Sequence, residues 1–344
     1  MLIETSQPFK PVNFQDAPRF RAKAELSHSG STFKPVNFQD APRFAGVRTF
    51  MRLPHTRAIE QIDFAIVGVP FDGGASYRTG QRHAPEAIRS MSVLMREYNP
   101  ALDIPIFEYC QGIDYGDVAV LPGYIEDTYT RTTNELAPLV KAGVTPFVLG
   151  GDHSISLPVL RAIAAKHGPV ALVHFDSHND TEDNYAGKLY YHGTPFRRAV
   201  EEKLVDVQRS IQVGIRGSVC AKSELDDAKT LGFQVLPMTE IREQGLSVVI
   251  QAIRERVGTS KLFISFDIDA IDPAYAPGTG TPEVGGFSSW EALSLVRGLH
   301  GLPLIGADLV EVIPAFDPAA ITALLAATIV YEWISLLALS KKRS

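Results

Sequence analysis

The chain has 344 residues, which is enough for one large α/β domain or for about two average domains. Apolar types make up 45% of the residues and charged types 21%, as in soluble globular proteins and unlike collagen-like or disordered chains. The net charge of −6 has the wrong sign for a protein that binds phosphate backbones, so we expect no nucleic acid partner.

Cysteine content and apolar segments predict the compartment. The two cysteines, Cys110 and Cys220, cannot form a disulfide framework, and the first thirty residues contain no apolar run of signal-peptide length, so we expect a cytoplasmic protein. Residues 319–340 are apolar enough for a membrane span, but Glu332 inside it would cost about 2–3 kcal/mol. We therefore predict a buried helix there and no membrane contact.

The N-terminal region contains a duplication. Residues 9–20 and 33–44 are both FKPVNFQDAPRF. Two copies are too few for a repeat architecture, and the prolines interrupt any helical pattern. We expect residues 1–45 to form an irregular arm in which the first copy is poorly ordered, and residues 46–340 to form one catalytic domain.

From about residue 62, short apolar runs alternate with longer amphipathic segments, which predicts an α/β fold whose parallel sheet has helices on both faces. The predicted strands are Phe64–Val69, Thr145–Leu149, Val170–Phe175, Ser210–Gly214, Lys261–Phe266 and Leu304–Ala307. The predicted helices are 84–97, 126–142, 156–167, 222–231, 246–256 and 289–299.

Acidic and imidazole side chains follow three of these predicted strands. Because parallel strands place their carboxyl ends at one edge of the sheet, and residues two apart in an extended chain point the same way, we expect these side chains to converge. The predicted metal ligands are His153, Asp176, His178, Asp180, Asp267 and Asp269.

This ligand set predicts two divalent ions. Carboxylate oxygens with a minority of imidazoles suit Mn²⁺ first and Ni²⁺ second, whereas structural zinc sites use thiolates. Water held between two such ions loses a proton near neutral pH, which predicts hydrolysis. Three neighbouring residues receive structural roles instead: Asp152 and Asp272 as turn or cap residues, and His174 as a core residue or a support for the ligands.

Three segments resemble the signature segments of the ureohydrolase family, which includes arginase and agmatinase: GGDHS (150–154), HFDSHNDT (174–181) and SFDIDAIDPAYAPGTGTPEVGG (265–286). The resemblance covers residues 46–340 and implies a single-domain, three-layer α/β/α arginase-type fold. It implies a dinuclear manganese centre and hydrolysis of a guanidino compound to urea and an amine.

The resemblance also implies individual roles. His153, Asp176, Asp180 and Asp267 would bind one ion, and Asp176, His178, Asp267 and Asp269 the other. His192 would shuttle protons, Glu311 would bind the guanidinium of the substrate, and Asp180 would also pass a proton to the leaving amine.

The sequence leaves alternatives open for the chemical nature of the substrate tail and for the oligomeric state. Glu182 and Asp183 after the ligands favour a cationic, agmatine-like substrate, while Ile313 leaves open a guanidino acid or an N-alkylated guanidine or biguanide. Related proteins suggest a homo-oligomer, hexamer or trimer, or a hetero-oligomer with a related subunit. A one-zinc deacetylase of the related fold and an inactive partner subunit are the rival interpretations.

Overall fold

A computed structural model describes residues 34–36, 39, 41–219 and 221–343. Within these residues, eight parallel strands form one sheet in the order β4-β1-β5-β10-β9-β6-β7-β8. A separate antiparallel pair consists of β2 and β3. The strands are β1 (Phe64–Gly68), β2 (Tyr98–Asn99), β3 (Ile104–Pro105), β4 (Gly112–Asp117), β5 (Thr145–Leu149), β6 (Ala171–Phe175), β7 (Ile211–Ile215), β8 (Gln234–Pro237), β9 (Leu262–Asp267) and β10 (Leu304–Val310).

Helices cover both faces of the sheet and create two apolar layers. One layer contains side chains from α1, α8, α9 and α10, and the other contains side chains from α3, α4, α5 and α6. The helices are α1 (Ala84–Ser92), α2 (Ile106–Tyr109), α3 (Ile125–Ala142), α4 (Ser156–His167), α5 (Pro195–Glu201), α6 (Lys222–Leu231), α7 (Met238–Gln244), α8 (Leu246–Val257), α9 (Ser289–Gly298) and α10 (Ile321–Lys342). The predicted α/β architecture is confirmed.

Two strands of the sheet, β4 and β8, were not predicted, because their sequences are not apolar runs. The strand β4 reads GIDYGD, and its buried Asp114 accepts hydrogen bonds from both the Nε and the Nη2 of Arg89, at 2.8 and 3.0 Å. The strand β8 is a four-residue edge strand that ends in a proline. Both strands lie at the edges of the sheet, where they pair with β1 and β7, respectively.

The predicted helix 84–97 is too long, because α1 ends at Ser92. The Ser92 hydroxyl donates to the Arg89 carbonyl and accepts the backbone N–H of Met51, at 2.7 and 2.8 Å. This contact with a distant segment lies at the end of the helix. The sequence around Ser92 contains no capping or breaking residue that would predict the end there.

The apolar C-terminal helix α10 lies inside the protein. Its segment Pro318–Lys342 is long and apolar enough to cross a membrane, but 78% of its most apolar window is buried. Glu332 accepts hydrogen bonds from Asn99 Nδ2 at 2.9 Å and from Arg297 Nη2 at 2.6 Å. The buried carboxylate is therefore paired, as expected for the core helix of a globular fold.

The first copy of the duplicated segment lies outside the described residues. In the second copy, the Val36 N–H donates to the Arg52 carbonyl at 3.1 Å, and Arg52 Nη1 donates to the Ala41 carbonyl at 2.9 Å. The described part of this copy contains neither helix nor strand.

Replacing Arg89 with Met should lower the free energy of unfolding by about 3–5 kcal/mol, because Asp114 would retain a buried charge without its partner. Urea unfolding at pH 7 measures the change. The control is Arg57→Met, which removes a more exposed ion pair with Glu135 and should cost about 1 kcal/mol or less. Equal losses in the two variants would contradict this interpretation of the Asp114 pair.

Candidate metal centre

The candidate site lies at the carboxyl ends of four adjacent strands. In the order β5-β10-β9-β6, these strands are followed by His153, Glu311, Asp269 and Asp176, and β9 itself ends at Asp267. Because all four strands are parallel, the residues meet at one edge of the sheet. The predicted convergence of the strand ends is therefore present in the structure.

A first group of ligand atoms surrounds the ring of His153. Its Nδ1 lies 3.1 Å from Asp176 Oδ2, 2.9 Å from Asp180 Oδ2 and 3.2 Å from Asp267 Oδ2. This nitrogen is buried and has no hydrogen-bond partner. One imidazole nitrogen and three carboxylate oxygens thus face a common point, and a divalent cation fits that donor set.

The opposite nitrogen of His153 determines its tautomer. The Ser265 hydroxyl donates to Asp308 Oδ1 at 2.6 Å, so its oxygen is free to accept the Nε2–H of His153 at 2.9 Å. In the neutral ring the proton therefore resides on Nε2, and Nδ1 turns a lone pair toward the carboxylates. Hydrogen bonds of this kind orient the histidine ligands of metal sites.

A second group of ligand atoms shares Asp176 with the first. His178 Nδ1 lies 3.4 Å from Asp176 Oδ1 and 3.1 Å from Asp269 Oδ2. The other Asp269 oxygen accepts from the Ser177 hydroxyl at 2.7 Å and from the Ser177 N–H at 3.1 Å. Asp176 presents one carboxylate oxygen to each group, the arrangement required of a ligand that bridges two ions.

The chain brings Asp180 to the cluster differently from the prediction. The strand β6 ends at Phe175, and Asp180 adopts a left-handed backbone conformation with φ of 50°. Simple alternation along an extended chain therefore does not account for its position. Glu311 also has a positive φ, of 67°. Such conformations are unfavourable for residues other than glycine and concentrate at functional sites.

The electrostatics of the cluster favour a cation. Burial raises the pKa of Asp267 well above its usual range, and the adjacent charges of Asp269 and Asp176 raise it further. Burial alone would lower the pKa of His153, but the surrounding carboxylates, led by Asp180, raise it well above its ordinary value. Both pKa shifts have the same origin, because a buried group of carboxylates is unfavourable without positive charge nearby. Divalent ions would supply that charge.

Glu311 and His192 form a connected pair beside the first group. Glu311 Oε1 accepts the backbone N–H of His153 at 2.9 Å and lies 3.1 Å from His192 Nδ1. The Ser76 N–H donates to His192 Nε2 at 3.1 Å, so the proton of the neutral ring lies on Nδ1 and faces Glu311. Both predicted residues are thus adjacent to the ligand cluster.

The three residues assigned structural roles make the corresponding contacts. Asp152 accepts the N–H groups of Ser154 and Gly74, and Asp272 accepts those of Ala274, Gly285 and Gly286. His174 Nε2 lies 2.7 Å from Asp176 Oδ2, so it supports a ligand, and it is also close enough to the first group to be considered a donor.

Sequence reasoning missed the polar residues that support the ligands. Ser265 and Asp308 lie within the buried strands β9 and β10, where a polar residue among apolar neighbours was the available signal. Gln81, which contacts Glu311, had no such signal, because it precedes α1 and is 230 positions away in the chain.

A cleft of about 480 Å³ opens over the cluster. Besides the predicted ligands Asp180 and Asp267, three acidic side chains, Glu182, Glu224 and Asp227, line it, together with the tyrosines Tyr185 and Tyr191. The neighbouring Asp183 is instead paired with Arg198 at 3.1 Å.

Known proteins with similar sequences belong to a family of hydrolases. Residues 62–335 match the Arginase family. The chain is 44% identical to the mitochondrial agmatinase of Gallus gallus, over 85% of this chain and 86% of that protein. It is also 44% identical to a guanidinopropionase of Pseudomonas aeruginosa, over 87% of this chain and 94% of that protein.

Among solved structures, proclavaminate amidinohydrolase of Streptomyces clavuligerus superposes with a TM-score of 0.83 at 40% identity, over 87% of this chain and 100% of that chain. The fold and the strand-end cluster thus define a metal-dependent hydrolase of the arginase fold. The chain belongs to the arginase, or ureohydrolase, family.

Replacing Ser265 with Ala should weaken Mn²⁺ binding about 10- to 100-fold, because His153 would lose the acceptor that fixes its ring and tautomer. Calorimetric titration of the metal-free protein measures the affinity. Ser294→Ala is the control, since that hydroxyl donates only to Trp290 O within α9, and it should leave the affinity unchanged. Unaltered affinity in Ser265→Ala would refute the orienting role.

Proposed function

We propose that this protein hydrolyses the guanidinium group of a small, agmatine-like compound to urea and an amine. The observation that carries the proposal is the sharing of Asp176 between two groups of ligand atoms, with Glu311 adjacent to one of them. A shared carboxylate suits two ions, whereas the rival one-zinc deacetylase needs a single ion.

We assign the metal ligands as predicted from the sequence. His153, Asp176, Asp180 and Asp267 would hold one ion, and Asp176, His178, Asp267 and Asp269 would hold the other, with Mn²⁺ expected ahead of Ni²⁺. When bound, two such ions supply an activated water nucleophile at neutral pH.

The remaining residues bind the substrate and move protons. Glu311 accepts parallel N–H bonds from the planar guanidinium and fixes its carbon over the ligand cluster. His192 carries protons between the cleft and the cluster, and its contacts with both Ser76 and Glu311 suit that role. Asp180 passes a proton to the departing amine.

The lining of the cleft supports a cationic or neutral substrate tail. Arg216 is the one Lys or Arg among the described lining residues, and its guanidinium donates to backbone carbonyls, including those of Asp269 and Glu283, both at 2.7 Å. Its donors are therefore committed to the protein and do not bind a carboxylate. The acidic residues of the lining, Glu182, Glu224 and Asp227, repel an anionic tail and attract an ammonium.

A comparison of matched substrates tests the proposed tail preference. Agmatine and 4-guanidinobutyrate carry an ammonium and a carboxylate at similar distances from the guanidinium, and butylguanidine is the neutral control. We expect kcat/KM for agmatine to exceed that for 4-guanidinobutyrate at least about tenfold, because the acidic lining repels the carboxylate. Urea release with Mn²⁺ and with Ni²⁺ is the measurement.

Two outcomes of that comparison are informative. A preference for 4-guanidinobutyrate would overturn the assignment of the tail, although the hydrolysis would stand. Absence of urea from these compounds and from arginine, 3-guanidinopropionate, guanidine and dimethylbiguanide would overturn the proposed reaction.

A pair of variants separates metal binding from substrate binding. Asp267→Ala should lose both bound metal and urea release, because it removes a ligand oxygen of the cluster. Glu311→Ala should retain the metals and lower kcat/KM about 100-fold or more, because the guanidinium would be misplaced. Elemental analysis and urea release measure the two effects, and normal activity in Glu311→Ala would contradict the assigned role.

A further inference from the structure

Gln81 is a polar residue in direct contact with the proposed guanidinium-binding carboxylate. It follows Gly80 in the turn before α1 and is fully buried. Its Nε2 donates to Glu311 Oε2 at 2.7 Å. Glu311 Oε1 accepts instead from the His153 N–H, so separate elements of the fold hold the two oxygens.

The orientation of the Gln81 amide follows from its neighbours. Nε2 also donates to the Arg78 carbonyl at 3.1 Å, which uses both amide hydrogens. The reverse orientation would point the amide carbonyl at a carboxylate and at another carbonyl. The nitrogen therefore faces Glu311, and the direction of Oε1 is fixed as well.

The other end of the amide is unsatisfied. Gln81 Oε1 is buried and has no hydrogen-bond partner in the structure. A buried carbonyl without a donor costs about 1–3 kcal/mol, and most such groups in native proteins are paired. A donor on a bound ligand would satisfy this oxygen, and the adjacent carboxylate of Glu311, held by the same amide, is the group to which we assign the guanidinium.

The loop after β9 adds a second feature. A Cβ atom at Gly280 would lie 3.0 Å from Gln81 Nε2 and 3.1 Å from Glu311 Oε2. Glycine at this position lets the loop backbone approach the amide and the carboxylate together. The loop backbone therefore covers one side of the pair and leaves no room for a bulky group on that side.

We propose that Gln81 is a further substrate-binding residue, whose Oε1 accepts an N–H of the guanidinium while its Nε2 holds Glu311 in place. The assignment rests on the proposed function. Glu311 and Gln81 together present acceptors to different N–H groups of one guanidinium. The selected ligand is a guanidinium with a free N–H on that side.

Gln81→Met tests the proposal, because methionine has a similar volume but neither the donor nor the acceptor. We expect KM for agmatine to rise about tenfold or more with a smaller change in kcat, since the contact exists in both the ground state and the transition state. Agmatine binding, measured directly by calorimetry on the Mn²⁺-loaded protein, should weaken by the same factor. Bound Mn²⁺ per chain should stay unchanged.

Gln81→Glu is the second variant, which retains an acceptor oxygen and replaces the donor beside Glu311 with a carboxylate. It should bind agmatine better than Gln81→Met if Oε1 contacts the substrate. The control is Thr132→Val, which removes a buried hydroxyl from α3 that donates to Thr128 O, and it should bind agmatine normally.

The possible results separate this proposal from the proposed function. Wild-type affinity and KM in Gln81→Met would overturn the contact while leaving guanidinium hydrolysis intact, as expected if a bound water satisfies Oε1. Weaker agmatine binding accompanied by equal loss of Mn²⁺ would also overturn it, since the effect would then be structural. Failure of the wild-type protein to bind or hydrolyse agmatine would count against both proposals.

Discussion

The burial of several carboxylates at one sheet edge is the constraint on which the rest of the site depends. Asp176, Asp267 and Asp269 are almost completely buried, and this burial, together with repulsion between the carboxylates, raises the pKa of Asp267 and Asp269. Such a cluster is stable only with compensating positive charge. The parallel sheet concentrates the acids, and the same concentration creates the demand for cations.

The surrounding residues specify where that charge must lie. Ser265 and Asp308 orient His153, Ser177 holds one oxygen of Asp269, and His174 contacts Asp176. The contacts of His153 and Asp269 occupy one donor atom and leave the other facing the cluster, whereas His174 approaches an Asp176 oxygen that itself faces the first group. The ligands are thus oriented before any ion binds, which is the usual function of the outer contacts of metal sites.

The proposed function divides recognition of the substrate between two regions. It assigns the guanidinium to Glu311 and Gln81, whereas the cleft that opens over the cluster is acidic and partly aromatic. The guanidinium and the substrate tail would then be recognised by different residues. Such a division would fit the similarity of the chain to relatives that are named for different guanidino compounds.

Local sequence predicted the features that depend on local pattern. The apolar strands, most helix bounds and the strand-end ligand motifs follow from periodicity and spacing, and α4 and α6 have the predicted bounds. The strand β4 was missed because its sequence is not an apolar run and its buried Asp114 pairs with the distant Arg89. The predicted end of α1 was wrong, and there Ser92 contacts Met51 from another segment of the chain.

The residues of the candidate site also divide into those that local sequence predicts and those that depend on distant contacts. The six predicted ligands could be found from their spacing, but the left-handed conformation of Asp180 and the contact between Gln81 and Glu311 could not. Both require knowledge of which distant segments meet. Local rules thus identify the residues that carry the chemistry better than those that position them.

Titration of the metal-free protein with Mn²⁺, followed by urea release from agmatine, shows how many bound ions the active protein needs. The shared carboxylate of Asp176 predicts that activity rises until two ions are bound per chain. Full activity at one ion per chain, or binding of two ions without urea release, would contradict the dinuclear hydrolase described above.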